Sequence, residues 1–112
     1  MLVNKGFAKE NYYVCPPEHL HYFTKEPLEK LINACGLRVE TTISDYPIDT
    51  FVLNPDSNYY ADGTKGKKCH YARVAFELEL AKQSSEHLIA YKQGCANAGI
   101  GHDLVTFAQN KG

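Results

Sequence analysis

The sequence predicts an α/β domain whose elements follow the order helix, strand, long helical excursion and strand. Two patterns favour this fold class. Apolar residues recur with helical spacing at Leu28, Leu31, Ile32 and Cys35. Directly afterwards, residues 37–43 alternate between apolar and polar and are rich in β-branched side chains, as in a strand with one buried face.

The composition is that of one ordinary globular domain, residues 1–112. Hydrophobic residues make up 44% of the chain and charged residues 22%, which argues against disorder. The formal net charge of −1 gives no electrostatic reason to expect nucleic acid or an anionic membrane as a partner. No secretory leader and no run of the ~20 apolar residues that span a bilayer is visible. We therefore predict a cytoplasmic location, with the 4 cysteines as free thiols.

The first helix is predicted over residues 25–35. Thr24 is a good N-cap, and Pro27 falls in the first turn, where its missing donor costs nothing. Gly36 lies where a left-handed C-terminal cap is expected. The strand over 37–43 follows directly, so the helix is expected to pack on a sheet.

The excursion begins with a short apolar run, 48–53, and a turn-rich loop that continues to Gly66. From about 67 to 98 the pattern is helical, and Ser84 or Ser85 is expected to cap a second helix. The side chains expected to face inward are Tyr71, Val74, Ala75, Leu78 and Ala81 in the first helix, and Leu88, Ile89, Cys95 and Ala96 in the second.

A last strand is predicted over residues 104–108 and closes the order of elements. Two strands and one packed helix are a poor stand-alone core, since small sheets need a third strand or more helix cover. The sequence therefore indicates a fragment, a tight oligomer, or both.

The loop over residues 15–23, before the first helix, is the most distinctive segment. Its two prolines stiffen the chain and present a carboxylate and an imidazole, Glu18 and His19, close to Tyr22. This arrangement suits substrate orientation or general acid/base catalysis. The alternative is structural: His19 and Tyr22 fix the loop by hydrogen bonds while Phe23 packs on the helix start. Spacing alone favours the structural role.

A metal site is not expected. Cys15, His19 and His21 offer three ligands, and Cys69-His70 offers two more. Their spacing matches none of the usual zinc patterns, which pair cysteines or place histidines one helical turn apart.

Two segments with features of anion-binding sites have simpler explanations. Lys65, Lys67 and Lys68 lie near a helix start, but acidic residues are close in sequence, so a solvated helix entrance is expected. Gly99-Ile100-Gly101 follows a helix and precedes a strand, the reverse of the order in a nucleotide-binding loop. It therefore predicts a turn.

Residues 16–24 and Cys35-Gly36-Leu37 resemble the C-terminal half of class I S-adenosylmethionine-dependent methyltransferases. In that family, a loop of the form Pro-Pro-Glu-His-Leu-x-Tyr-Phe follows the fifth strand and leads into a helix with an Ala-Gly-Phe-like end. The likeness extends from about Tyr12 to Ala108. Its later blocks are Tyr46-Pro47-Ile48-Asp49, Leu53-Asn54-Pro55, Gly66-Lys67, His70, Arg73 and Ala98-Gly99-Ile100-Gly101. One departure is His102, where the family leads us to expect Arg.

The resemblance implies the C-terminal part of a Rossmann-like methyltransferase fold, incomplete without the cofactor-binding half. Residues 37–43 would be the sixth strand and 104–108 the seventh, antiparallel to the rest. Glu18, His19 and Tyr22 would lie where the methyl group is transferred, with His19 accepting the proton of the methyl acceptor in an intact enzyme. S-adenosylmethionine would be bound by the missing half, so this chain alone is expected to hold no cofactor and to be inactive.

The expected partners are the missing N-terminal half or a second copy of the chain, and the expected substrate is a small molecule. A homo-oligomer is favoured because strand edges and apolar faces are left open. Two alternatives remain. One is a non-catalytic binding or regulatory module derived from the same fold. The other, less favoured, is a small metal-binding protein that uses Cys15, His19 and His21.

Overall fold

The computed structural model describes residues 23–111, which form a two-stranded antiparallel sheet covered by helices. The predicted α/β class and order of elements are confirmed. The elements are α1 (Lys25–Ala34), β1 (Leu37–Ser44), α2 (Asp49–Val52), a 3₁₀ turn (Gly63–Lys65), α3 (Gly66–Gln83), α4 (Ser85–Ala98) and β2 (Leu104–Asn110).

Helix α1 ends within one residue of its predicted bounds. Thr24 has the extended backbone of an N-cap, although its side chain makes no capping hydrogen bond. Gly36 adopts a φ of 87°, the left-handed conformation that glycine accepts without steric cost. This turn reverses the chain into β1, and the Asn33 side chain accepts a hydrogen bond from the Val39 backbone N–H at 3.4 Å.

The sheet lies between α1 and α4. Thr41 and Thr42 are neighbours in β1 and so point to opposite faces. Thr42 donates to a carboxylate oxygen of Glu29 in α1 at 2.6 Å, and the Gln93 amide in α4 donates to the Thr41 hydroxyl at 2.8 Å. The pairing of β1 with β2 is irregular between Val39 and Thr41. Helix α3 packs on α4, which makes the arrangement layered.

The core of the described part is small. The buried apolar residues there are Val52, Cys69, Cys95 and Ala96. Leu31, Val105 and Phe107 are each about half exposed. The radius of gyration is 16.1 Å, above the ~12–13 Å expected for a compact chain of this size. Much apolar surface therefore lies open, as the pattern of elements predicts.

The predicted inner face of α3 is wrong. Tyr71 and Leu78 are 59% and 55% exposed, while Cys69 is buried. Two polar contacts tie α3 to its neighbours: Cys69 donates to the Ser57 carbonyl at 3.2 Å, and the partly exposed Glu77 pairs with Lys92 of α4 at 3.3 Å. Apolar periodicity therefore selects the wrong stripe in this helix.

Burial in the other two long helices agrees with prediction only in part. Cys95 and Ala96 are buried in α4 as expected, but Ile89 is 48% exposed. In α1, Leu31 is 48% exposed and the C-cap Cys35 is exposed, whereas Glu29 faces the sheet and accepts from Thr42.

The boundary between α3 and α4 is predicted correctly. Ser84 is the N-cap of α4, and its hydroxyl accepts from the Glu86 backbone N–H at 3.1 Å. Gly99, with a φ of 68°, ends α4 in the left-handed conformation. Within residues 23–111, no helix combines the length and apolar character needed to cross a bilayer.

Candidate functional site

The predicted catalytic residues Glu18, His19 and Tyr22 lie outside the described residues 23–111, as do the possible metal ligands Cys15 and His21. Their roles stay predictions. In the described part, no group of three or more His, Cys, Asp or Glu side chains is arranged to hold a metal ion. Cys69 and His70, the other possible ligands, lie next to each other in α3 with one buried and one exposed.

A polar cluster lies where β1 ends and β2 begins. Asp45 follows β1 directly, and one oxygen of its carboxylate accepts from the His102 backbone N–H at 2.7 Å and the Asp103 N–H at 3.2 Å. Ser44, which is 3% exposed, donates its hydroxyl to the Asp103 carbonyl. Both residues at the end of β1 therefore hold the turn that starts β2.

His102 joins a second carboxylate to this turn. Its Nε2 lies 2.7 Å from a carboxylate oxygen of Asp49 in α2, and the two side chains are 14% and 29% exposed. The pair connects the short helix to the start of β2. Where the family resemblance leads us to expect Arg, this chain therefore carries an imidazole that already has a carboxylate partner.

Gly101 allows the close approach of the two segments. A Cβ at this position would lie 1.8 Å from the Ser44 Oγ and 2.8 Å from the Asp45 carboxylate. Only a residue without a side chain fits at that distance. We call Ser44, Asp45, Asp49 and residues 101–103 the carboxylate turn.

The electrostatics of the carboxylate turn are those of crowded carboxylates. Partial burial, and next the negative charge of Asp45, raise the pKa of Asp103 above its ordinary value. Negative charge is thus concentrated where β1 ends and β2 begins, on Asp45, Asp49 and Asp103. His102 is the imidazole among them. This favours ligands that carry hydrogen-bond donors or positive charge.

An aromatic cluster lies beside the carboxylate turn. Tyr46 stacks on Phe51 at 5.3 Å and meets the edge of Phe76 at 5.9 Å, and Phe76 contacts Tyr91 at 5.3 Å. Burial is the main cause that raises the pKa of the Tyr91 phenol above its ordinary value. The cluster places aromatic side chains next to the carboxylates of the turn.

The carboxylate turn was not predicted from the sequence, although a signal was present. Asp45 is the second residue after the predicted strand 37–43, and Gly101-His102-Asp103 come directly before the predicted strand 104–108. When two consecutive strands pair antiparallel, the end of the first meets the start of the second. The missing information was that 37–43 and 104–108 are each other's partners.

The other predicted features behave as simple structural elements. Lys65 donates to the Pro55 carbonyl at 2.7 Å, and Lys67 lies 5.9 Å from the centre of the Tyr71 ring. The Asp62 carboxylate accepts from both the backbone N–H and the hydroxyl of Thr64, and the hydroxyl bond is the main cause that lowers the pKa of Asp62.

The glycine turn at the end of α4 is not arranged as a nucleotide loop. The Gly99 N–H bonds the Ala96 carbonyl, the Ile100 N–H bonds the Cys95 carbonyl, and the His102 N–H bonds Asp45. Backbone donors engaged in this way cannot bind the phosphate or ribose of a cofactor. The turn closes a helix, as predicted.

Comparison with known proteins adds no assignment. No protein-family model matches the chain, and neither the search of curated proteins nor that of solved structures finds a match.

Proposed function

We propose that the chain is the C-terminal, substrate-side part of a class I S-adenosylmethionine-dependent methyltransferase whose acceptor is a small molecule. The observation that carries the proposal is the antiparallel pairing of β1 with β2 across the excursion α2–α4. In the Rossmann-like fold of that family, the sixth and seventh strands would correspond to β1 and β2. The helix before the sixth strand would correspond to α1, and the excursion would cover the substrate side.

The described residues do not fit the cofactor. Among residues 23–111, the N–H groups of Gly99, Ile100 and His102 in the glycine turn are engaged internally, and no glycine turn follows a strand and opens a helix. In the proposed enzyme the cofactor therefore belongs to the absent half, and this chain contributes to binding and orienting the acceptor. Alone, it is expected to bind no S-adenosylmethionine.

The carboxylate turn and the aromatic cluster suit an acceptor site. Such folds bind their ligands at the carboxyl ends of the strands. Asp45 directly follows β1, which would be the sixth strand, and so lies at that end of the sheet. Tyr46 and Phe76 offer apolar contact, while the carboxylates select for donors or cations. Glu18 and Tyr22 are proposed to orient the acceptor, and His19 to accept its proton in the intact enzyme.

A non-catalytic binding module derived from the same fold is the second candidate. The observation that favours it is the amount of apolar surface left open: Phe107, Leu78 and Tyr71 are each more than half exposed. Such surface commonly marks an interaction site. The two candidates differ in whether the functional protein also contains a cofactor-binding half.

Calorimetric titration with S-adenosylhomocysteine tests the proposal. The chain alone is compared with the chain preceded by the coding sequence directly upstream in its gene. We expect no heat of binding for the chain alone and stoichiometric binding for the extended protein. Binding by the chain alone, or an extended protein without a cofactor site, contradicts the proposal, and the second result favours the binding module.

A substitution then separates acceptor-side residues from cofactor binding. In the extended protein, His19→Ala should leave the affinity for S-adenosylhomocysteine unchanged and lower kcat by about 10²–10⁴-fold, the usual contribution of a general base. Phe23→Ala is the matched control, because Phe23 follows His19 by four residues in the same segment. This variant should retain most of kcat. Equal effects of the two substitutions would assign the segment a structural role only.

A further inference from the structure

The two outer edges of the sheet differ in how well they resist pairing. Within residues 23–111, the sheet contains β1 and β2 alone, so each strand leaves one edge open there. β1 carries Arg38 and Glu40, which pair with each other at 2.9 Å, and its register is irregular between Val39 and Thr41. Charged side chains and bulges both discourage another strand from adding to an edge.

Strand β2 has neither kind of protection. Its seven residues, Leu104–Asn110, include no charged residue and no proline. Its pairing with β1 is regular from Leu104 to Phe107. Val105 and Phe107 lie on one face of the strand and are 47% and 53% exposed. An uncharged edge strand with exposed apolar side chains is a template for a further strand.

We propose that β2 pairs antiparallel with β2 of a second copy of this chain, with the two-fold axis at Thr106. In this register each Val105 lies opposite Phe107 of the partner subunit, so the two exposed apolar side chains cover each other twice. The uncharged strand meets no like-charge repulsion when it pairs with itself. The result is a continuous sheet of four strands in place of a marginal two-stranded one.

The opposite face of the strand fits the same register. There the Thr42 and Thr106 hydroxyl oxygens lie 3.0 Å apart, which is a cross-strand hydrogen bond within the chain. A two-fold axis at Thr106 places two such pairs next to each other, and Thr–Thr pairs are favourable across strands. Both faces of β2 are therefore compatible with an identical neighbour, as a closed two-fold interface requires.

The pairing is proposed for the 112-residue chain and does not depend on the methyltransferase proposal. Cofactor titration tests one and measurement of mass tests the other, so either can fail alone. Sedimentation velocity is run over about a hundredfold range of concentration, in which the wild-type chain is expected to change from monomer to dimer. If the wild-type chain stays monomeric throughout, the inference is overturned. In that case β2 does not pair with a second copy of the chain.

A charge on the edge provides the specific test. Phe107→Lys is expected to weaken the dimer by at least about tenfold in Kd, because both symmetric pairs with Val105 are lost and two charges are brought together. Leu78→Lys is the matched control: it removes an equally exposed apolar side chain, from α3, and should leave Kd unchanged. Circular dichroism confirms that both variants are folded. A Phe107→Lys dimer of wild-type affinity overturns the proposal.

Cross-linking tests the register without adding charge. Residues that face each other across an antiparallel pair have Cα atoms about 4.5–5.5 Å apart, within the range of a disulfide. In a background with Cys15→Ser and Cys35→Ser, which leaves only the buried thiols of Cys69 and Cys95, Thr106→Cys should form a disulfide-linked dimer on mild oxidation. Val105→Cys lies off the axis and should cross-link much more slowly. Equal rates, or faster linkage at 105, contradict the assigned axis.

Discussion

Gly101→Ala is expected to destabilise the fold because the new methyl group has no room. It would meet the Ser44 Oγ at 1.8 Å, the Ser44 Cβ at 2.7 Å and an Asp45 carboxylate oxygen at 2.8 Å. The Ser44 side chain is 3% exposed and donates to the Asp103 carbonyl, so it cannot swing away without losing that bond. The carboxylate turn therefore has to shift as a whole.

The magnitude follows from three contributions. Overpacking a closely packed site costs about 1–3 kcal/mol, and loss of the Ser44 hydrogen bond costs about 0.5–1.5 kcal/mol. Replacement of glycine restricts the unfolded chain, which offsets about 0.4–1 kcal/mol. The net loss in the free energy of unfolding is about 0.5–4 kcal/mol, which for a domain of this size lowers Tm by roughly 2–30 °C.

Thermal unfolding followed by circular dichroism measures the effect. Gly94→Ala is the control, since a Cβ at this position in α4 meets nothing within 4 Å. It should raise stability by about 0.5–1 kcal/mol because alanine is the better helix former. A double-mutant cycle of Gly101→Ala with Ser44→Gly isolates the clash, and the coupling should recover at least half of the loss. Unchanged Tm in Gly101→Ala would refute the close approach of the two segments.

Three further predictions concern the helix ends and the contact between α1 and the sheet. Ser84→Ala should cost about 1 kcal/mol by urea unfolding, because the Glu86 N–H loses its cap. Gly99→Ala should cost about 1–2 kcal/mol, since its φ of 68° is strained for alanine. The Thr42 hydroxyl is the main cause that lowers the pKa of Glu29, so this carboxylate stabilises the fold above its unfolded pKa and the stabilisation is lost as pH falls. Thr42→Val should therefore be less stable than wild type at neutral pH, with the difference shrinking as pH falls through the titration of Glu29. A difference independent of pH would contradict that assignment.

Local signals in the sequence predict the elements well. The bounds of α1 follow from Thr24 and Gly36, and the break between α3 and α4 follows from Ser84. These features depend on residues close in the chain, where caps and turns have specific chemistry. The short helix Asp49–Val52 cannot be assigned from the sequence, because four residues do not show a period.

The buried faces and the site depend on distant residues, which explains why they were predicted less well. Cys69 is buried against Ser57 and the partly exposed Glu77 pairs with Lys92, and an apolar pattern reveals neither contact. The carboxylate turn likewise joins Asp45 to His102 and Asp103, which lie 57 and 58 positions later in the chain. Such contacts depend on which strands pair, and local sequence patterns do not determine strand pairing.

The carboxylate turn also bears on the open edge of β2. Asp45 and Ser44 hold the start of β2, and the contact at Gly101 leaves no freedom for the strand to slip along β1. A slip of one residue would move Val105 and Phe107 to the opposite face. The face on which these side chains are exposed is therefore set by the turn, and with it the register available to a second copy. Gly101→Ala should accordingly weaken self-association as well as stability, whereas Gly94→Ala should change stability alone. A Gly101→Ala chain that still forms dimers with wild-type Kd while folded would show that the turn and the edge act independently.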